Sequence, residues 1–335
     1  MHLRYIYSLL ISFAPCLFVS CADAEPDDSL GGKEMRFSVR TGDGASRANN
    51  VSFNSFSIFA DMKRDDAHNN MLMMENAPVT FNQTSDRWEY GVTQYWIPNF
   101  EYSFVALTPG SVFYEPNANK VYLGSQLSFI YSLPDDYTRI TDILAATHRR
   151  RYTDGETVPV MLNFHHLLSR INVAPKFDDN ELNNSDILKF HRLEITNVAR
   201  KATFTLAPAP LQTGDRTDDC LFDISRYEGK VNYTAVFNTP VQLINHGDSK
   251  LVFDQGMLML PQEFAEESGC CIILSYTIND DVEQSLLTIP LDNIRWDSGM
   301  SYTFNFIFDK MGLKMQTLTI TPWTDIEKDF TFNIE

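Results

Sequence analysis

Residues 300–310 read MSYTFNFIFDK, and in them Tyr302, Phe304, Phe306 and Phe308 occupy every second position. Successive side chains point to opposite faces only in an extended chain, so this spacing requires a strand with one aromatic face. The same period of two recurs throughout. In VSFNSFSIFA (residues 51–60) Phe and Ile alternate with Ser and Asn. Further strand-like runs lie at 77–83, 87–92, 101–109 and 120–134, then at 188–198, 201–208 and 256–262. Residues 270–280 and 284–291 read as a hairpin around Asp280 and Asp281. Turn signals separate these runs at about 8 to 12 residues, the spacing of an all-β sandwich.

Three segments qualify that pattern. The apolar parity of residues 313–323 changes between Met315 and Leu318, which predicts a bulge or a break. The short run TDILAAT (residues 141–147) reads as a helical turn, and HRRRYTDGE (residues 148–156) as a solvated hairpin tip. The chain ends in DFTFNIE, where Phe330, Phe332 and Ile334 share one face. A length of 335 residues is ample for two domains, and the boundary is expected near Ser169.

A formal net charge of -17 disfavours unaided binding to nucleic acid or anionic lipid. Among the five cysteines, Cys16 lies in the apolar leader, and Cys270 and Cys271 are adjacent and so face opposite ways on any strand. The rest make no disulfide framework. Cys220 can pair with one of them outside the cytoplasm, but small buried thiols are the favoured reading.

Residues 1–20 have one Arg near the start, an apolar stretch and a small residue before Cys21, the make-up of a secretory signal peptide. The ending LFVSC resembles a bacterial lipoprotein signal, in which the Cys thiol is acylated, although Phe18 is larger than usual there; an ordinary signal cut nearby is the alternative. The acidic, aperiodic residues 22–34 form a tether. Its Asp23, Glu25, Asp27 and Asp28 resemble the acidic signal of surface-exposed Bacteroidetes lipoproteins, or serve as a hydrophilic spacer. MRFSVR (residues 35–40) then alternates Met35, Phe37 and Val39 against Arg36, Ser38 and Arg40, the pattern of a half-buried strand.

No metal-protease, paired-Cys, nucleophile-elbow, phosphate-loop or dinucleotide motif is present. His165 and His166 are adjacent and face opposite ways on a strand, so they read as one core or turn histidine and a neighbour, not as chelators. The Asp- and Asn-rich residues 177–186 lack the central Gly and final Glu of a helix-loop-helix calcium site and read as a turn. No enzyme, cofactor or metal is expected.

Several weak motifs occur in a telling order. They are the Ser-Cys lipobox, Ser46-Arg47-Ala48 after the first strand, residues 94–109, NFHHLLSRINV (163–173), LMLPQ (258–262), WDSGMSYTF (296–304) and ITPW (320–323). Together they resemble the fimbrillin family of Bacteroidales, the subunits of type V pili and related surface lipoproteins. The resemblance implies two tandem β-sandwich domains of transthyretin-like topology, over residues 48–169 and 170–335. It also implies an outer-membrane lipid anchor at Cys21 and a trypsin-like protease that cuts between Arg47 and Ala48, with Arg40 the second choice. That cut removes residues 21–47, whose Met35, Phe37 and Val39 fill a groove in the precursor. Subunits then polymerise with other pilus subunits by strand exchange. The expected donor is the strand of Phe330, Phe332 and Ile334, with Leu318 to Ile320 as a further segment; both can instead be ordinary strands. The alternative is a lipid-anchored adhesin that does not polymerise and binds a glycan or host receptor through exposed aromatics such as Tyr95, Trp96 and Tyr114.

Overall fold

The structure is a computed structural model describing residues 33–41, 53–64, 67, 69–110, 121–153, 159–178, 186–212, 214–244, 251–253, 256–309 and 312–323. Its strands are β1 (Phe37–Thr41), β2 (Ser55–Arg64), β3 (Met71–Asn82), β4 (Arg87–Tyr90), β5 (Phe100–Thr108), β6 (Val121–Leu123) and β7 (Gln126–Ser132). Next come β8 (Leu144–Tyr152), β9 (Val160–His166), β10 (Ser169–Phe177), β11 (Leu188–Pro208), β12 (Arg216–Thr217) and β13 (Cys220–Leu243). The last are β14 (Met257–Met259), β15 (Gln262–Glu263), β16 (Cys271–Ile278), β17 (Ser285–Pro290), β18 (Arg295–Trp296), β19 (Met300–Asp309) and β20 (Gly312–Pro322). Among the described residues one 3-10 turn, Tyr137–Arg139, lies between β7 and β8.

The strands form three main sheets. The first has the order β1-β9-β8-β5-β2-β3-β4, with β12 added to β8; the second has β17-β16-β11-β7-β6, with β13 along β11; the third has β14-β10-β19-β20. One long hairpin spans the molecule. The 21 residues of β11 pair with β16 through their first half and with β7 through their second. Strands β6 and β7 precede Ser169 in sequence yet belong to the sheet that β11 organises, so the sheets interleave across that position.

Alternation along each strand explains the layers. In β2, Phe59 faces the second sheet, where it packs on Tyr122, while Phe56 and Ile58 face the opposite core. That second core is walled by the first sheet together with Met35 and Trp96, and the sheet curls until β1 and β4 approach each other. Beneath the third sheet, Tyr302, Phe304, Phe306 and Phe308 are buried, as their spacing requires. The expected bulge in β20 is present: the register with β19 shifts between Asn305–Thr317 and Phe306–Met315, leaving Gln316 as the extra residue.

Two local expectations need correction. Residues 144–147 are not helical; they begin β8, which runs on through the three arginines to Tyr152. These arginines therefore do not form a loop tip. His148 and Arg150 point inward and are buried. Their burial is compensated: His148 Nδ1 lies 2.6 Å from the Asp218 carboxylate, and the Arg150 guanidinium sits 5.7 Å from the centre of the Trp96 ring.

Candidate functional site

The first strand occupies an edge, and its side chains are core. Met35, Phe37 and Val39 are 0%, 7% and 4% exposed, whereas Arg36 and Arg40 face solvent. Phe37 makes edge-on contacts with Phe56 at 6.1 Å, Tyr90 at 5.3 Å and Phe104 at 6.3 Å. Burying three such side chains is worth about 5–9 kcal/mol gross. Over residues 37–41, β1 has one ladder, a parallel pairing with β9 from Phe37–Val160 to Thr41–Phe164. Its other edge faces a cleft of about 820 Å³ towards β4, lined by Phe81, Arg87, Trp88 and Glu89 among others.

The N-terminal end of this strand is held differently. Residues 33–35 lie antiparallel to the turn after β4, through a Glu34–Tyr95 bridge. The Met35 N–H donates to Gln94 O at 2.8 Å, and the Trp96 N–H donates to Lys33 O at 2.8 Å. The Tyr90 hydroxyl donates to Met35 O at 2.7 Å and accepts from the Gln94 N–H at 3.2 Å. Nothing in the period of residues 90–97 marks them for this role. They act through backbone groups and one hydroxyl, which leave no hydropathy signal.

The remaining residues singled out in the sequence fall in several places. Arg40 lies within β1, opposite Asn163. Cys21, Arg47, Ala48, Tyr114, residues 179–185, Phe330, Phe332 and Ile334 lie outside the described residues. Leu318 to Ile320 belong to β20, paired with Phe304 to Tyr302 of β19. Trp96 is 3% exposed and stacks on Tyr152 at 5.1 Å, so its ring is unavailable to a ligand, whereas Tyr95 is 52% exposed. Cys220, Cys270 and Cys271 are all free thiols, so Cys220 pairs with neither of the others.

At the junction of the sandwiches, His165 is exposed and His166 is buried. His166 Nδ1 lies 2.6 Å from an Asp142 oxygen, and its ring stacks on Trp323 at 3.6 Å. Burial pushes the Asp142 carboxyl above its ordinary range, and the hydrogen bond from His166 opposes that shift. The Arg170 guanidinium lies 5.1 Å from the Trp323 ring centre. This group ties the end of β20 to the β9–β10 turn. No cluster of His, Cys, Asp or Glu among the described residues is arranged to hold a metal ion. No helix among them is long and apolar enough to cross a membrane.

Known proteins resemble most of the chain. The profile of a family described as fimbrillin-like matches residues 46–323. No curated protein matches the sequence. The fold is similar to that of a fimbrial protein from Bacteroides vulgatus, with a TM-score of 0.61 at 14% identity, covering 87% of this chain and 100% of that one. A protein from Bacteroides uniformis provisionally assigned to cell adhesion aligns at 16% identity over 90% of this chain and 100% of its own, with a TM-score of 0.45. A fimbrial assembly protein from Parabacteroides distasonis aligns at 9% identity over 87% of this chain and 100% of its own, with a TM-score of 0.40.

Proposed function

The chain belongs to the fimbrillin-like family, and on that premise we propose that it is a structural subunit of a type V fimbria that polymerises by exchanging its first strand. The observation that carries this reading is β1: a strand at a sheet edge, held by one ladder, that fills three core positions. An edge strand leaves a template of unpaired backbone groups and an apolar groove when it departs. The precursor is exported as a lipoprotein acylated at Cys21, and a trypsin-like protease cuts it between Arg47 and Ala48. Arg40 is the poorer site, since its backbone lies in the ladder with β9 and a protease needs free extended chain. After the cut, β1 is held only by non-covalent contacts and can leave. The donor is the segment with Phe330, Phe332 and Ile334, whose spacing of two matches that of Met35, Phe37 and Val39.

Mass spectrometry of the native protein's N-terminus tests this reading. Polymeric protein is expected to begin at Ala48, and unassembled precursor at acylated Cys21. Polymers built from chains that retain Cys21 would overturn it.

A further inference from the structure

We infer that Tyr90 and residues 94–97 form a fixed latch that grips the N-terminal end of any strand lying along β9, whether the chain's own β1 or the donor segment of a second copy. The inference rests on the strand-exchange reading for the second copy only; for β1 it stands on the contacts themselves.

Every hydrogen bond the latch makes to the first strand goes to main chain. Gln94 O accepts from the Met35 N–H, the Trp96 N–H donates to Lys33 O, and the Tyr90 hydroxyl donates to Met35 O. None of these bonds depends on the side chain at the position read, so a different sequence can make them. Register is left to the side chains, whose period is two: a slip of one residue would turn Met35, Phe37 and Val39 outward and bring Arg36 and Ser38 into the core. Like the ladder with β9, the latch accepts any residue at its positions, and it adds three hydrogen bonds at one end of the strand.

The latch is also built to remain when β1 is gone. Its own backbone is tied from below by Tyr102, whose hydroxyl accepts from the Ile97 N–H at 2.7 Å and donates to Ile97 O at 3.1 Å. Trp96 roots it further, packed edge-on against Tyr102 at 4.8 Å and stacked on Tyr152. The Asn99 N–H, from a residue in the left-handed region at φ 65°, donates to Tyr152 O at 2.9 Å. None of these supports involves residues 33–41. The unoccupied latch therefore keeps its geometry, and an incoming strand bears little cost of ordering it.

Tyr90→Phe tests the latch, since it removes the hydroxyl and keeps the ring on Phe37. In the uncut chain, hydrogen–deuterium exchange at the Met35 and Trp96 amides is expected to rise about fivefold, as for loss of one ordinary hydrogen bond, with β16 and β19 unchanged. Unaltered protection at both amides overturns the inference. A second measurement separates it from the strand-exchange reading. Chain cut after Arg47 is mixed with a labelled peptide of residues 33–41, and with the same peptide carrying an ester in place of the Met35 amide. The latch predicts about fivefold weaker uptake of the ester peptide, and equal uptake of the two overturns it. Uptake of neither peptide overturns the latch's role towards a second copy together with strand exchange, while the uncut chain still decides its role towards β1.

Discussion

At position 37 one phenyl ring joins the first strand to the rest of the core. Phe37 touches rings from β2, β4 and β5, so its loss opens a cavity that no single neighbour can fill. Phe37→Ala is expected to destabilise the uncut chain by about 3–5 kcal/mol, read by chemical denaturation. After cutting and removal of the first strand, the same substitution should have no effect on the remaining body. Asp142 offers a contrast at the other end of the first sheet. Its carboxylate is the partner of the buried His166 Nδ1, so Asp142→Ala should cost about 1–3 kcal/mol by stranding a polar atom. A denaturation midpoint indistinguishable from the parent's would refute that assignment.

At the scale of the element, β1 differs from its neighbours in how little holds it. Strand β11 has partners on both sides, with β13 along one edge and β16 or β7 along the other, whereas β1 has β9 and the latch. One cut behind β1 is thus enough to make its retention a matter of local contacts. Limited trypsin digestion should yield a fragment boundary that Arg47→Ala abolishes and Arg40→Ala leaves intact, as followed by intact mass. A boundary lost in Arg40→Ala instead would mean that the strand frays before it is cut. Strand β20 shows the complementary case, an edge strand with one ladder and an exposed Ile320. Its ten pairings with β19 and the Trp323 anchor make it part of the body.

At the scale of the whole molecule, the long β11–β13 hairpin couples the two ends. A core continuous from Phe59 through Phe204 to Phe306 lies beneath it, so the body should stay folded when its first strand changes. On the proposed reading, assembly depends on the segment carrying Phe332. Phe332→Asp is expected to abolish concentration-dependent polymers of the cut chain while leaving its thermal unfolding unchanged, measured by light scattering and calorimetry. Polymers as long as those of the parent would show that the donor lies elsewhere.

Alternation is a local property, so the sequence by itself determined that this chain is built of strands, which face of residues 35–39 and 302–308 is apolar, and where β20 must bulge or break. The order of weak motifs pointed to the family for the same reason: each motif is a local constraint on a turn or strand. Tertiary structure decided the rest. His148 and Arg150 read as solvent-facing because charge is costly to bury, and only the approach of Asp218 and Trp96, 70 and 54 positions away in the chain, reverses that. The latch was invisible because backbone amides are the same in every residue. The place of β1 at an open edge, on which the proposed function turns, follows from the curling of a seven-strand path that no short stretch encodes.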